Sequence, residues 1–252
     1  MAARVVIDAG HGGWDNGAMY NGRKEKDDNL NLALAVGQIL RDNGVDVVFT
    51  RTSDVYQSPR EKAMLGNATD ADFFISFHRN SSVEPNQYSG VQTLLFNEGD
   101  IKQEMADNIN SELEKLGFQN LGRSVRTNLA VLRQTNMPAV LVETGFINTD
   151  ADNALFDAKF QEMAEGIAKG ILETLETEKE TFHFYIQVGL FRNYDNAERL
   201  MEELSSMGYT VQIRSINGYY AVLVGEFDTM EQAKRIENVL REDGYDTLII
   251  AT

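Results

Sequence analysis

The sequence predicts two domains: a large α/β domain with a mostly parallel twisted sheet, and a small α+β domain of the ferredoxin-like βαββαβ type. Short apolar strands alternate with amphipathic helices through residues 1–176, which is typical of a parallel sheet with helices on both faces. A polar segment without apolar anchors follows at 177–181 and is predicted to be a linker. Residues 182–252 then contain an internal repeat.

The strands of the large domain are predicted from apolar runs, which suit strands buried on both faces of a sheet. They cover residues 5–7, 45–50, 72–77, 91–96 and 139–142. The helices between them are predicted at residues 26–43, 59–69, 101–116 and 151–175. Asn43-Gly44 suits the end of the first helix, and Pro59 suits the first turn of the second.

The repeat in the small domain has a constant offset of 36 residues. Val188-Gly-Leu-Phe191 matches Val224-Gly-Glu-Phe227, and the downstream apolar positions keep the same spacing. Each copy has the pattern strand, helix, strand. Two copies predict a four-stranded sheet with two helices on one face.

Charge and composition exclude several functions. The net charge of −16 disfavours nucleic acid and anionic membrane surfaces as partners. The chain has no cysteine, so a thiolate nucleophile or thiolate metal ligand is excluded. The start of the chain has no pattern of a secretory signal, so we expect synthesis in the cytoplasm without a signal peptide, or a mature form.

Four chemically important residues are predicted to meet at one edge of the large sheet. His11, His78 and Glu143 follow predicted strands, and Glu25 lies near the start of the first helix. Ligands of open α/β sheets bind outside the carboxyl ends of the strands. Imidazole and carboxylate groups bind Zn²⁺, and a further carboxylate can move protons. These residues are sufficient for metal-assisted amide hydrolysis.

Each residue also has a structural explanation. His11 suits a turn or a phosphate-binding loop, and His78 suits a hydrogen-bonded strand end. Glu25 lies in a charge run at a helix start, where acids are favoured by the helix dipole. Glu143 follows four apolar residues, which is harder to explain as surface decoration. His183 adjoins the predicted linker and has no evident role. The residues alone therefore leave the metal site open.

Four ordered sequence blocks resemble the zinc N-acetylmuramoyl-L-alanine amidases of the Amidase_3 family. The blocks are Ile7-Asp-Ala-Gly-His-Gly-Gly13, Lys24-Glu-Lys-Asp27, Phe74-Ile-Ser-Phe-His-Arg-Asn80 and Met137-Pro-Ala-Val-Leu-Val-Glu-Thr-Gly-Phe146. The resemblance implies that His11, Glu25 and His78 bind Zn²⁺ and that Glu143 is catalytic. Asn80, in the third block, is predicted to contact the substrate.

Two residues depart from the pattern of that family. The family usually has arginine where Lys62 stands and a small residue where Arg79 stands, between His78 and Asn80. Neither change removes a predicted metal ligand. Because Arg79 adjoins a predicted ligand, we expect it to alter substrate preference near the metal.

The repeat resembles a SPOR domain, whose strands match Tyr185-Ile-Gln-Val-Gly-Leu-Phe191 and Tyr219-Tyr-Ala-Val-Leu-Val-Gly-Glu-Phe227. This resemblance implies binding of glycan strands without peptides. Tyr185, Gln187 and Tyr219 are predicted to lie on the sheet face away from the helices and to contact sugar. Alternatively, the two tyrosines form a cross-strand pair that only stabilises the sheet, or the domain binds a small regulatory molecule.

Together the resemblances imply a peptidoglycan hydrolase that cleaves the amide between N-acetylmuramic acid and L-alanine. The domain combination is similar to sporulation mother-cell lysis amidases and to phage endolysins. We therefore expect action on the wall after mother-cell or host lysis, or after holin-type release. Two alternatives stay open: a zinc peptidase or deacetylase of the cell wall, and a non-catalytic wall-binding regulator.

Overall fold

The computed structural model of the protein describes residues 3–181, 183–227 and 229–251, so Phe182, where the predicted second domain begins, lies outside them. The chain forms two compact units, Met1–Leu175 and Glu176–Thr252. The predicted linker, 177–181, is helical and forms the end of a longer helix. Among the described residues, no helix has both the length and the apolar character needed to cross a membrane.

The first unit alternates strands and helices as predicted. Its elements are β1 (Arg4–Ala9), β2 (Met19–Tyr20), β3 (Arg23–Lys24), α1 (Glu25–Asp42), β4 (Asp46–Phe49), α2 (Pro59–Asn67), β5 (Phe73–Asn80), β6 (Val91–Leu95), α3 (Asp100–Lys115), β7 (Asn120–Val125), α4 (Ala130–Arg133), β8 (Ala139–Phe146), α5 (Asp150–Ala158) and α6 (Phe160–Thr181), of which the residues after Leu175 are assigned to the second unit.

The main sheet of the first unit is mostly parallel, which confirms the predicted fold class. Within the described residues its strand order is β4-β1-β5-β8-β6-β7. β1, β4, β5 and β8 run parallel, whereas β6 and β7 run antiparallel to them. Successive residues of β1 enter opposite apolar clusters, Val5 and Ile7 on one face and Val6 on the other. Both sheet faces are therefore covered.

Three elements of the first unit differ from the prediction. β7 contains Gly122, Arg123 and Ser124 and is only half-buried, so it lacks the apolar run that marks the other strands. The hairpin β2–β3 has only two residues in each strand and was not predicted. The helix predicted at 151–175 is two helices, α5 and α6, with Lys159 between them at φ −121°. Neither glycine nor proline marks that break in the sequence.

The second unit has the predicted βαββαβ order. Its elements are β9 (Phe184–Phe191), α7 (Tyr194–Ser206), β10 (Val211–Ile216), β11 (Tyr219–Phe227), α8 (Met230–Glu242) and β12 (Leu248–Ala251). Its described strands form an antiparallel sheet in the order β10-β11-β9-β12. Ile186, Val222 and Val224 pack in one cluster with Ala197 of α7 and Ala233 of α8, so both helices cover the same face.

Candidate active site

Three strands and one helix bring the four predicted residues to one sheet edge. His11 follows the end of β1, and His78 lies near the end of the neighbouring strand β5. Glu143 of β8 is the register partner of His78, so the two side chains lie on the same sheet face. The hairpin β2–β3 leads directly into α1, which places Glu25 at the first position of that helix.

His11, Glu25 and His78 form a candidate metal site. Their ligand atoms all lie within 4.8 Å of one another. Oε1 of Glu25 is 3.1 Å from Nε2 of His11 and 2.8 Å from Nδ1 of His78. Burial would raise the pKa of Glu25, but the contacts with both histidines outweigh it and hold that pKa far below 4.5. Glu25 is therefore a buried anion between two imidazoles.

His11 is held in place by Asp15, which sequence analysis missed. His11 has φ 59°, a left-handed conformation that is uncommon for a residue with a side chain. Nδ1 of His11 donates to Oδ2 of Asp15 at 2.8 Å, which directs Nε2 towards Glu25. The available signal was a carboxylate four residues after a predicted ligand histidine, since an outer carboxylate commonly orients such ligands.

Arg51 holds the loop that carries His11 through hydrogen bonds to its backbone. Its guanidinium donates to the carbonyl oxygens of Ala9, Gly10 and Lys26 at 2.8 to 3.0 Å. A β-carbon on Gly10 would come within 2.4 Å of the His78 ring, so only glycine permits this close approach. The glycine and the arginine together fix the distance between the two strand ends.

Lys62 lies under the same loop rather than in contact with solvent. Its Nζ is 2.9 Å from Oδ1 of Asp8 and donates to the carbonyl oxygen of Ala9 at 2.5 Å. Thr50 and Ser76 donate to Asp8 as well. Burial opposes the ionisation of Asp8, but Lys62 and the two hydroxyl groups outweigh it and lower its pKa. Lysine therefore supplies one buried cation that supports the strand ends.

The side chain of Arg79, which was expected to alter substrate preference near the metal, does not point into the candidate metal site. The side chain is buried, and its guanidinium donates to Asp28 at 2.5 Å and to Asn153 at 2.8 Å. It also stacks at 4.3 Å over the ring of Phe156. Only its backbone N–H reaches the site, where it donates to Oε1 of Glu25 at 3.1 Å. Since residues alternate along β5, Arg79 points away from His78.

Glu143 has the properties of a proton carrier. Burial raises its pKa from 4.5 to about 7, and the negative charge of Glu25 adds to this while His78 opposes it. Its Oε2 is buried and has no hydrogen-bond partner among the described residues. A carboxylate with a free oxygen and a near-neutral pKa can both take and return a proton.

These residues line one pocket of about 630 Å³. His11, Glu25, His78 and Glu143 all contribute to its wall, together with Asn80. Oδ1 of Asn80 accepts a hydrogen bond from the backbone of the next residue at 2.8 Å. Arg126 and the residues that lead into α4 line the pocket as well. The pocket thus joins the candidate metal site to a cleft large enough for part of a polymer.

The predicted sugar-binding residues lie in the second unit and differ in exposure. Tyr185 is only 3% exposed, and the guanidinium of Arg214 lies 4.1 Å from its ring. The face opposite the helices is thus not open at Tyr185, contrary to the expectation. Gln187 and Tyr219 are half-buried, and the Tyr219 hydroxyl accepts from Arg192 at 3.1 Å.

Residues 5–173, about two thirds of the chain, match the sequence profile of the N-acetylmuramoyl-L-alanine amidases. The chain belongs to this amidase family. Residues 180–251 match the SPOR domain. Both resemblances seen in the sequence motifs are therefore confirmed.

Relatives of this amidase include bacterial N-acetylmuramoyl-L-alanine amidases and a phage endolysin. It is 34% identical over 214 residues to a sporulation-specific N-acetylmuramoyl-L-alanine amidase of Bacillus subtilis, with 82% of each chain covered. It is 38% identical over 188 residues to the endolysin of Bacillus phage SPP1, covering 72% of this chain and 69% of that protein. A crystal structure of an N-acetylmuramoyl-L-alanine amidase from Clostridium difficile 630 superposes with a TM-score of 0.66. It is 35% identical, and the match covers 70% of this chain and 98% of that one.

Proposed function

We propose that this amidase binds Zn²⁺ through His11, Glu25 and His78 and hydrolyses the amide between N-acetylmuramic acid and L-alanine. The observation that carries the proposal is the position of Glu25 Oε1, within 3.1 Å of one histidine nitrogen and 2.8 Å of the other. A set of two histidines and one carboxylate is a known catalytic zinc set. Burial of the carboxylate and its contact with both rings suit a divalent cation better than a solvated helix start.

Each residue has a distinct task in the hydrolysis. A zinc ion held by His11, Glu25 and His78 would polarise the scissile carbonyl and make water a better nucleophile near neutral pH. Glu143 accepts a proton from the attacking water and later gives it to the leaving amine of L-alanine. Asp15 keeps the His11 ring in one orientation, and Arg51 and Lys62 hold the loop under it. The products are a peptide-free glycan strand and a stem peptide with a free N-terminus.

The second unit supports the same function. SPOR domains are glycan-binding, and the glycan released by the first unit is the strand type that the resemblance implies for the second. We propose that this unit retains the enzyme where peptides have already been removed. The acidic chain needs such specific contacts, because its net charge of −16 does not favour adsorption to an anionic wall.

The test combines metal analysis with product analysis. Purified wild-type protein should contain one zinc per chain and release peptides that begin with L-alanine. His78→Ala should lose both zinc and activity, whereas His183→Ala, outside the cluster, should keep both. Chelation should also lower the midpoint of thermal unfolding, because metal binding stabilises only the folded chain. Full zinc content in His78→Ala would contradict the ligand assignment.

Product analysis also separates the alternatives. A peptidase would release amino acids or shorter peptides, and a deacetylase would release acetate, while the muramoyl amide stays intact. A non-catalytic regulator would release nothing. Any of these results with zinc-loaded protein would overturn the proposed reaction.

A further inference from the structure

Two exposed aromatic rings lie on segments that also carry residues of the candidate active site, since Asp15 follows Trp14 and Gln57 follows Tyr56. Trp14 is 75% exposed and Tyr56 is 38% exposed, and their ring centroids are 4.3 Å apart with the planes tilted by 31°. We call these two residues the aromatic platform. Scattered apolar residues on a surface need no explanation, but a stacked pair that stays exposed leaves a broad apolar ring face available to a ligand.

The platform is mounted on the loop that carries the metal ligand. Gly12 and Asp15 exchange backbone hydrogen bonds of 3.0 and 3.1 Å, so Gly13 and Trp14 form the tip of a two-residue turn. Gly13 has φ 59°, which suits glycine at the first central position of such a turn. Trp14 therefore lies in the sequence between His11 and Asp15, and Asp15 is the residue that orients the His11 ring.

The turn is also fixed to the segment that carries Tyr56. The backbone N–H of Gly13 donates to Oδ1 of Asp54 at 2.7 Å. Nζ of Lys26 donates to both Oδ2 of Asp54 and the carbonyl oxygen of Gly13 at 2.7 Å. A β-carbon on Gly13 would come within 2.7 Å of the Tyr56 backbone nitrogen, which shows how closely the segments approach. The platform is thus preorganised, which lowers the entropy cost of binding.

A polar side chain lies next to the aromatic platform in the sequence and lines the pocket. Gln57, the residue after Tyr56, lines the pocket. Its side-chain oxygen is buried and has no hydrogen-bond partner in the described part of the chain. A buried acceptor of this kind is costly unless a ligand donates to it. An acetamido N–H is a suitable donor, and it needs no charge on the ligand.

We infer that Trp14 and Tyr56 form a stacking subsite for an N-acetylhexosamine ring of the glycan strand, with Gln57 accepting from its acetamido group. This inference rests on the proposed function. In that substrate only an ether oxygen and one carbon separate the scissile carbonyl from the sugar ring. A sugar must therefore lie at the pocket mouth whenever the carbonyl is at the metal site. The apolar C–H face of a sugar ring fits a flat aromatic surface, and both are uncharged.

The chain offers a direct probe, because Trp14 is its single tryptophan. The experiment uses the full chain with Glu143→Gln, so that substrate is not consumed. Tryptophan emission is titrated with peptide-free strands of alternating N-acetylglucosamine and N-acetylmuramic acid, and separately with stem peptide. We expect a saturable change with the glycan and none with the peptide. Tyr56→Ala should raise the Kd for glycan by roughly 3- to 10-fold, the usual effect of losing one aromatic contact.

Kinetics give a second measurement on the otherwise wild-type chain. Trp14→Ala should raise KM for peptide-bearing glycan strands by roughly 3- to 10-fold, with a smaller effect on kcat and unchanged zinc content. Val83→Ala is the matched control, because Val83 is 92% exposed and apolar but lies in another loop. An equal effect of both substitutions would overturn the subsite.

These experiments distinguish a failure of the proposed subsite from a failure of the proposed reaction. Emission that stays constant as glycan binds would show that only the second unit holds the strand, and it would overturn the subsite even if the amide is cleaved. A change produced by stem peptide alone would also overturn it. An emission change with glycan in a chain that never releases L-alanine termini would support the subsite and contradict only the proposed reaction.

Discussion

Oδ2 of Asp15 lies 2.8 Å from Nδ1 of His11, on the side of the ring opposite Glu25. Because a carboxylate oxygen only accepts, Nδ1 carries a proton in this contact, and Nε2 is the ring nitrogen that can bind a metal. Asp15 also accepts from the backbone of Gly17 through Oδ1 at 3.0 Å. One side chain thus orients a ligand and shapes the loop that carries it.

Removal of this carboxylate should weaken metal binding without removing a ligand. We expect Asp15→Ala to bind zinc about 10- to 100-fold more weakly, the usual cost of losing an outer-shell partner. Competition with a chelator of known affinity measures this. Asp27→Ala is the control, since Asp27 is exposed and lies two residues after Glu25. Equal zinc affinities of the two variants would show that Asp15 does not orient His11.

Replacement of Glu143 should separate chemistry from metal binding. Glu143→Gln keeps the shape of the side chain but removes its ability to carry a proton. We expect full zinc content and a loss of roughly 10²- to 10⁴-fold in kcat, the range for general acid–base groups. Asn80→Ala, which changes the same pocket, should act more on KM. Near-normal turnover of zinc-loaded Glu143→Gln would assign the proton transfer to another group.

The raised pKa of Glu143 predicts a pH-dependent stability of the metal-free chain. Its ordinary pKa of 4.5 applies when unfolded and about 7 when folded, so the folded chain holds more protons between these values. The contribution of Glu143 to the unfolding free energy therefore falls as pH rises through that window, by roughly 3 kcal/mol in total. Glu143→Gln removes this pH-dependent contribution to the unfolding free energy.

Denaturant unfolding of both proteins in excess chelator checks this. The unfolding free energy of the variant minus that of wild type should be larger at about pH 8 than at about pH 5. The raised pKa of His11 also lowers stability as pH rises, but His11 is present in both proteins, so the comparison removes most of that effect. A pH-independent difference would contradict the raised pKa.

The sequence predicted the strand ends better than the supporting contacts. His11, His78 and Glu143 follow apolar runs, and the topology of a parallel sheet is enough to bring such positions to one edge. Asp15 was missed because its role depends on the left-handed turn at His11, which periodicity does not reveal. The buried position of the Arg79 side chain was not predicted, because it depends on the alternation of side chains between the two faces of the strand.

Exposure was the second quantity that sequence patterns did not give. The alternation in β9 and β11 correctly separated Ile186 and Val222 from Tyr185. It did not show that Arg214 of β10 lies over the Tyr185 ring of β9, because β11 separates these two strands in the sheet and the contact crosses it. The alternation of side chains along a strand shows which sheet face a residue is on. The residues that cover that face are determined by long-range packing.

The buried contact between Arg79 and Asp28 should matter for stability and not for substrate affinity. Arg79→Ala leaves Asp28 with Arg23 at 2.7 Å, so we expect a loss of about 3 kcal/mol, at the low end for a broken buried pair. The backbone contact with Glu25 remains, so KM and zinc content should stay near wild type. The double variant with Asp28→Ala should lose less than the sum of the single losses. A large change in KM with unchanged stability would restore a role in substrate preference.

The second unit gives the last prediction, because Tyr185 and Tyr219 differ in burial. Tyr185→Ala removes a ring that is 3% exposed and packs with Leu223, so it should destabilise the unit by roughly 3 to 5 kcal/mol. Gln187→Ala and Tyr219→Ala change half-buried side chains and should leave the fold intact. If these residues contact sugar, both variants should sediment less with sacculi that an amidase has stripped of peptides.

The comparison with undigested sacculi is the control for this experiment, since the first unit has the same sequence in every variant. Glu143→Gln in all proteins prevents digestion during the assay. Wild-type binding that does not rise on stripped glycan would contradict the glycan specificity of the second unit. Unchanged binding of both Gln187→Ala and Tyr219→Ala would remove these residues from the sugar site. Weaker binding of Tyr185→Ala would count as a sugar contact only if its unfolding transition matched that of wild type.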